Sequence, residues 1–459
     1  MGTDRDLKRV QPPQEKAFLV GVEWSNTPHG KYRPHAWPVE ESLAELERLA
    51  WTAGLEVVGQ ATQSLDRPHA GTFIGRGKAE EIAEQLRMLE ADVVIFDDEL
   101  NPNNQRDLEA IFGSRVKVLD RTGLILDIFA QHARTREGTL QVELAQYEYR
   151  LPRLTQTWTN QMLTRQAGGR AGGATGGVGL RGPGETRLEI DQRVIRRRID
   201  RIKAELEEVR AHRARHRKRR RHSGLPTVAL VGYTNAGKST LLNALSDADV
   251  YVADQLFVTL DPTTRRVALP GGTVVLVTDT VGFIQKLPTS LVAAFRATLE
   301  EVKEADLLLH VIDASHPYAW EQAQAVYKTL QQIEAADLPV IEALNKVDRF
   351  ADPTAVGDRF PEPADRVAIS ALTGYGLEEL KARIEEVLES EMVRVDALLP
   401  FERGDLVSLF HERGLIEEEE HLAEGTHIVG RLPSEFTAHF APYLVKEVPK
   451  VNLHVVTPE

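Results

Sequence analysis

An intact phosphate-binding loop in matching surroundings constrains this chain more than any other feature. Residues 232–239 read Gly232-Tyr233-Thr234-Asn235-Ala236-Gly237-Lys238-Ser239. The apolar run Val228-Ala229-Leu230-Val231 precedes them, and Thr240-Leu241-Leu242-Asn243-Ala244-Leu245 follows. That is the strand–loop–helix setting the motif requires. Glycines let successive backbone N–H groups turn onto phosphate oxygens, and the helix N-terminus adds positive potential. Lys238 is placed to reach the β- and γ-phosphates, and Ser239 to offer its hydroxyl to Mg²⁺. The eight-residue pattern alone also describes an ordinary glycine-rich turn. The flanking strand and helix favour the nucleotide site.

Residues further along select the nucleotide. Thr273-Val274-Val275-Leu276-Val277 leads into Asp279-Thr280-Val281-Gly282. An Asp at a strand end suits water-mediated Mg²⁺ binding, and the turn glycine suits an N–H that senses the γ-phosphate. The strand-like run Leu307 to Asp313 follows, then Pro339 to Leu344, which ends in Asn345-Lys346-Val347-Asp348. The Asp348 carboxylate can accept both donors of a guanine edge, a pair that adenine lacks. At Ser370-Ala371-Leu372 a backbone N–H is expected to meet the guanine carbonyl. Singly these are weak signals. In this order and spacing they resemble the translation-factor class of P-loop GTPases, with GTP and GDP as ligands.

The 459 residues suggest about three domains. With 42% hydrophobic and 27% charged residues, the composition is that of an ordinary globular protein. Zero cysteines exclude disulfides, thiolate metal sites and cysteine catalysis, and fit a reducing cytoplasm. No apolar run approaches the roughly 18 residues of a membrane span, and the N-terminus lacks the apolar core of a signal peptide. A cytoplasmic monomer is expected, with peripheral membrane association left open.

Charge is unevenly distributed. The formal net charge is −13, yet residues 151–222 carry about 19 basic and 7 acidic side chains, roughly +12. An acidic protein with one concentrated basic arm is suited to nucleic acid, although a solvated, salt-bridged helix has the same composition.

The expected architecture is α/β in four parts. Residues 1–130 form an N-terminal α/β domain, with strands at Lys16–Val22, Ala91–Asp97 and Val116–Leu119 and helices at Glu40–Ala53 and Asn104–Phe112. Residues 131–222 form an antiparallel, coiled-coil-like helical hairpin. Leu140, Leu144, Tyr147, Leu151 and Leu154 recur at heptad-like steps, as do Leu188, Ile195, Ile199, Ile202, Leu206 and Val209. Pro152 is expected to kink the first helix. Residues 223–390 form the P-loop domain, a mostly parallel sheet with helices on both faces. Residues 391–459 form a small α+β appendage of βαββ order, whose histidines lack metal-ligand spacing. The hairpin's connecting loop, Ala167 to Gly184, is rich in glycine and flanked or interrupted by Arg165, Arg170, Arg181 and Arg187. Such a loop is disordered alone, and its arginines suit RNA phosphates and bases. The almost wholly basic run Arg210 to Arg221 leads on toward the P-loop strand. Gly75-Arg76-Gly77-Lys78 is only part of a second P-loop and reads better as a turn into a helix at Ala79.

Three stretches then carry a family resemblance: Gly71 to Glu80, Arg181-Gly182-Pro183-Gly184-Glu185-Thr186-Arg187-Leu188-Glu189, and Phe257-Val258-Thr259-Leu260-Asp261-Pro262-Thr263-Thr264-Arg265. With them the chain closely resembles the HflX family of ribosome-associated GTPases, over essentially residues 16–390. The resemblance implies binding to the large ribosomal subunit and its rRNA, and the splitting or rescue of stalled ribosomes under stress. It makes Phe257 to Asp261 a nucleotide-facing switch, with Thr259 on Mg²⁺ beside Ser239 and with Lys238, Thr259 and Gly282 as the catalytic set. Thr263 and Thr264 remain alternatives to Thr259. Phe283 stands where better-known small GTPases carry a water-orienting glutamine, so hydrolysis leans on positioning, Mg²⁺ and groups brought by a partner. Asn235 resembles the asparagine that positions K⁺ in related GTPases. A nucleotide-dependent RNA remodeller, and a signalling GTPase whose hairpin binds a protein partner, are the competing readings.

Overall fold

The computed structural model describes residues 14–24, 37–154, 187–221, 225–246, 257, 262–286, 301–352, 356, 360, 365–390 and 392–445. The loop from Ala167 to Gly184, the switch residues Val258 to Asp261 and the run Val451 to Val455 lie outside them.

The first sheet is parallel, in the order β2-β1-β3-β4. Its strands are β1 (Lys16–Trp24), β2 (Glu56–Leu65), β3 (Val93–Phe96) and β4 (Lys117–Asp120). Strands covered on both faces read as continuous apolar runs, and here successive residues feed opposite cores. Ala17, Leu19, Val93 and Ile95 pack with α1 (Val39–Thr52) and α4 (Arg121–His132). Phe18, Val20, Val94 and Phe96 pack with α2 (Arg76–Met88) and α3 (Pro102–Phe112). The helix starts are encoded locally. Asn101 accepts the Asn104 N–H at 2.8 Å ahead of Pro102, and Asp120 accepts the Gly123 N–H at 2.9 Å. Helix α2 opens at Arg76, three residues earlier than the sequence reading placed it. Strand β2 and helix α4 were not foreseen. β2 has one wholly buried residue in ten, so its apolar pattern is faint.

The hairpin comprises α5 (Arg136–Arg150) and the 35-residue α6 (Arg187–Arg221). Leu140, Ile202 and Leu206 form its core, flanked by Leu144, Tyr147 and Val209. Arg198 pairs with Glu143 at 2.9 Å and Lys203 with Glu148 at 2.9 Å along its partly exposed sides. Pro152 ends the first helix instead of kinking it: residues Leu151–Arg153 tighten into a 3₁₀ turn and Leu154 is extended. Proline has no backbone N–H to donate to the preceding turn, so the helical hydrogen-bond ladder stops there. Tyr149 donates to Asp120 at 2.8 Å and Arg153 to the Leu100 carbonyl at 2.6 Å, tying the base of the hairpin to the first sheet.

The second sheet runs β10-β9-β8-β5-β7-β6, with β5 (Thr227–Gly232), β6 (Thr263–Ala268), β7 (Val274–Asp279), β8 (Leu307–Asp313), β9 (Val340–Asn345) and β10 (Asp365–Ala368). Only the β6–β7 pairing is antiparallel. One face packs α7 (Lys238–Leu245) and α9 (Leu377–Ser390), through Leu241, Leu242, Leu380 and Ile384. The other packs α8 (Ala319–Gln332) through Val326 and Leu330, and this core is continuous with the α1/α4 face of the first sheet. The third sheet is antiparallel, β11-β13-β12, from β11 (Met392–Leu399), β12 (Leu415–Leu422) and β13 (Gly425–Pro433). Helices α10 (Gly404–Arg413) and α11 (Ser434–Phe440) cover it, with Phe410 and Phe440 edge to face at 5.4 Å. The expected βαββ order is present, extended by α11.

Candidate nucleotide site

Strand β5 delivers the phosphate loop at the carboxyl end of the second sheet, where open α/β sheets bind ligands. Gly232 and Gly237 have φ of +153° and +98°, and each is glycine for space as well. A Cβ would lie 2.3 Å from the Val311 carbonyl oxygen at Gly232 and 2.3 Å from Asn345 Nδ2 at Gly237. Thr234 and Ala236 are buried, Asn235 is exposed with φ +60°, and Ser239 and Thr240 open the first turn of α7. Lys238 donates to the Gly232 carbonyl at 3.0 Å and the Tyr233 carbonyl at 2.8 Å. Burial pulls its pKa down to about 8, with Asp279 opposing the shift. Ser239 Oγ donates to Asp279 Oδ2 at 2.6 Å, so two hard oxygen donors stand together at the mouth of the loop, the type Mg²⁺ selects.

The segment after β7 lies flat on the phosphate loop. Phe283 N–H donates to the Gly232 carbonyl at 3.0 Å, and Thr234 N–H to the Phe283 carbonyl at 2.7 Å. Thr280 is wholly buried and donates to the Leu230 carbonyl at 2.6 Å. A Cβ on Gly282 would come 2.9 Å from Thr234 Cα and 3.1 Å from Lys238 Nζ, so only glycine allows this approach. Val281 and Phe283 face the core; the phenyl ring anchors the segment. Thr263 and Thr264 lie in β6, where Thr263 pairs with Asp279 and the Thr264 and Thr278 hydroxyls are 2.9 Å apart. Phe257 is buried with its ring edge-on to Phe129 of α4 at 4.6 Å.

The base end is built around Asn345. Its Nδ2 donates to the Ala236 carbonyl at 2.8 Å and its Oδ1 accepts the Ala371 N–H at 3.0 Å. It thus joins the phosphate loop to the Ser370-Ala371-Leu372 loop. Lys346, at φ +66°, donates to the Asn235 carbonyl at 2.8 Å and pairs with Asp313 at 2.7 Å. Val347 is buried beneath. Asp348 is oriented by the Ser370 hydroxyl, which donates to Oδ1 at 2.6 Å. Leu372 is 79% exposed.

No local signal in the sequence pointed to a polar seam between the first two sheets. Arg121, Asp97 and Glu45 are almost wholly buried in it. Arg121 pairs with both carboxylates, the Asp97 contact being 2.8 Å. Ser42 donates to Asp97 at 2.7 Å. From the other side, Lys286 pairs with Asp97, and with Asp98 at 2.9 Å. Burial would raise the Asp97 pKa, but Arg121 and Lys286 outweigh it and hold the carboxyl below its ordinary value. Trp37 stacks on Tyr233, His316 and Tyr318 with ring centroids 5.7–6.0 Å apart. In the sequence Tyr233 is marked only by its place in the phosphate loop.

A Rossmann-type crevice with a phosphate loop, a carboxylate beside its serine and an Asn-Lys-X-Asp base motif defines a P-loop GTPase. Comparison with known proteins narrows the class. Family models for the N-terminal and middle regions of a GTP-binding GTPase match residues 40–130 and 132–220. Those for a 50S ribosome-binding GTPase and an HflX C-terminal domain match residues 227–346 and 355–441. The GTPase HflX of Caldanaerobacter subterraneus subsp. tengcongensis is 46% identical over 440 residues, 96% of each chain. That of Escherichia coli is 47% identical over 380 residues, 83% of this chain and 86% of the relative. The chain belongs to the HflX family of GTPases. A GTP-binding protein from Sulfolobus solfataricus, solved with GDP, aligns with 82% of this chain and 99% of its own at 23% identity and a TM-score of 0.41. Among the described residues no helix is long and apolar enough to cross a membrane, and no three His, Asp or Glu side chains form a metal cluster.

Proposed function

We propose that this GTPase uses GTP binding and hydrolysis to engage the large ribosomal subunit and to split or rescue stalled ribosomes under stress. The carrying observation is the run of basic residues on α6, a 35-residue helix that leaves the hairpin and ends six residues before β5 and its phosphate loop. A basic helix that long can lie along RNA phosphates while its C-terminal end reports to the nucleotide site. The match of residues 227–346 to a 50S ribosome-binding GTPase model supports the same partner. In this reading Ser239 and Thr259 hold Mg²⁺, with Asp279 acting through water. Lys238 and the Gly282 N–H face the γ-phosphate, and Asp348 reads guanine. The Ser239–Asp279 oxygen pair fits that ion. Asn235 positions K⁺ near the phosphates, so replacing potassium by sodium should slow hydrolysis. Sedimentation with ribosomal subunits tests the whole: a GTP analogue should carry the protein into the large-subunit peak and GDP should release it. Co-sedimentation indifferent to nucleotide would refute it.

A further inference from the structure

We propose that Tyr233 is a positioning residue for GTP hydrolysis, acting through the backbone of residues 282–286 and held in place from the other domain by Glu45. Tyr233 follows Gly232 in the phosphate loop, yet its side chain turns away from the loop into the seam, where it is 4% exposed. Its hydroxyl donates to Glu45 Oε1 at 2.5 Å and accepts the Gln285 N–H at 2.7 Å. A phenol has one proton to give. With that proton committed to Glu45, the oxygen lone pair is aimed at Gln285, and the chain of bonds has a single direction. Glu45 is itself fixed by Arg121. Burial, then the Glu45 charge, hold the hydroxyl pKa well above its ordinary value, so it stays a donor.

The segment that accepts this restraint is the one on which hydrolysis depends. Gly282 sits between two fixed points: on its N-terminal side the Thr280 hydroxyl bonds to the Leu230 carbonyl, and on its C-terminal side come the Phe283 backbone bonds to Gly232 and Thr234, then the Gln285 bond to Tyr233 and the Lys286 pair to Asp97 and Asp98. Its Cα approaches Thr234 and Lys238 Nζ so closely that a methyl would not fit. A donor that must meet a γ-phosphate beside Lys238 therefore has its position set on both flanks. Such donors lose effect steeply with displacement: about 1 Å can cost on the order of 100-fold in rate. Removing the hydroxyl loosens the C-terminal flank, where the Phe283 bonds and the Lys286 pairs remain, and leaves the Gln285 N–H without its acceptor. GDP has no γ-phosphate, so it should not register the change.

The proposal rests on Gly282 as the γ-phosphate-facing N–H, and the experiment separates the two. In the full chain, Tyr233→Phe keeps the ring on Trp37 and removes only the hydroxyl. We expect kcat for GTP to fall about tenfold, while GDP affinity, read with a fluorescent nucleotide, stays within about twofold. Glu45→Ala should lower kcat similarly, and the double variant should be no worse than either single change, because both break one chain of bonds. Glu45→Gln keeps an acceptor for the hydroxyl and should recover most of the rate. A Tyr233→Phe enzyme with kcat unchanged or raised overturns the proposal. So does one that loses GTP and GDP affinity in parallel with its melting temperature, which would make the tyrosine structural only. Gly282→Ala is the control for the underlying reading. If it hydrolyses GTP like the parent, Gly282 is not the sensing donor, and both ideas fail together.

Discussion

Two sheets in this molecule, one parallel and one mostly parallel, each offer a crevice at the carboxyl ends of their parallel strands, and they fill it in opposite ways. In the second sheet the crevice holds glycines, backbone donors and one buried lysine, Lys238, whose charge burial disfavours. In the first, Asp97 follows the carboxyl end of β3, and the crevice is closed by protein charges: Arg121 of the same domain and Lys286 from the neighbouring one. A fold supplies a concavity and its residues decide what occupies it. One crevice is built for an anion to enter. The other already contains its counter-ions, and closing it fastens the two domains together.

The comparison breaks most sharply at Arg121. Arg121→Met should destabilise the full chain by about 3–5 kcal/mol, since Glu45 and Asp97 would be left buried against each other without their cation. Urea unfolding measures this, and a loss under about 1 kcal/mol would mean the seam is far wetter than its burial indicates. In the other crevice the same logic applies to a ligand. Asp348→Asn should weaken GTP binding by about 2 kcal/mol and relax selection toward xanthine nucleotides. Competition among GTP, ATP and XTP tests it, and equal displacement by ATP in the parent protein would contradict the guanine assignment.

A third test sharpens the contrast between the two lysines. A base whose pKa is depressed in the folded protein loses its charge early as pH rises, so phosphate must restore it on binding. With the Lys238 pKa near 8, nucleotide binding should take up about half a proton at pH 8 and about a tenth at pH 7. Affinity should decline as pH rises above 8 and level off below it. Calorimetry in buffers of different ionisation enthalpy counts the protons. No uptake at pH 8 would show that Lys238 is already charged. The smallest effect belongs to Lys286. Its side chain is one-third exposed, and Asp97 keeps Arg121 and Ser42 without it. Lys286→Met should cost only about 1 kcal/mol. Its larger consequence should be faster hydrogen exchange at Gln285, the amide next to the lost anchor.

Legibility followed sequence distance. The phosphate loop, the Asp279–Gly282 turn and the Asn345–Asp348 motif were legible because each is contiguous in the sequence, and in the proposed reading each meets one group of the nucleotide with backbone and neighbouring side chains. The hairpin core was readable too: Leu140, Ile202 and Leu206 sit on their stripes. Element ends were less so. Pro152 is compatible with a kink or with a stop, and the local pattern does not choose between them. Strand β2 pairs along the whole of β1, but an edge strand buried mainly on one side lacks the apolar run by which its neighbours were found.

The sequence by itself determined the nucleotide class, the strands β5, β7, β8 and β9 that carry its motifs, and the concentration of positive charge on the hairpin. Each of these depends on neighbours within a few residues or on a helical repeat. Only the tertiary structure decided that Glu45, Asp97, Arg121, Tyr233 and Lys286 form one site. Tyr233 and Glu45 are 188 positions apart, and Lys286 and Asp97 are 189. No local pattern marks a carboxylate whose counter-ion lies in another domain. Such partners meet only when two sheets pack, and burial then makes their pairing obligatory.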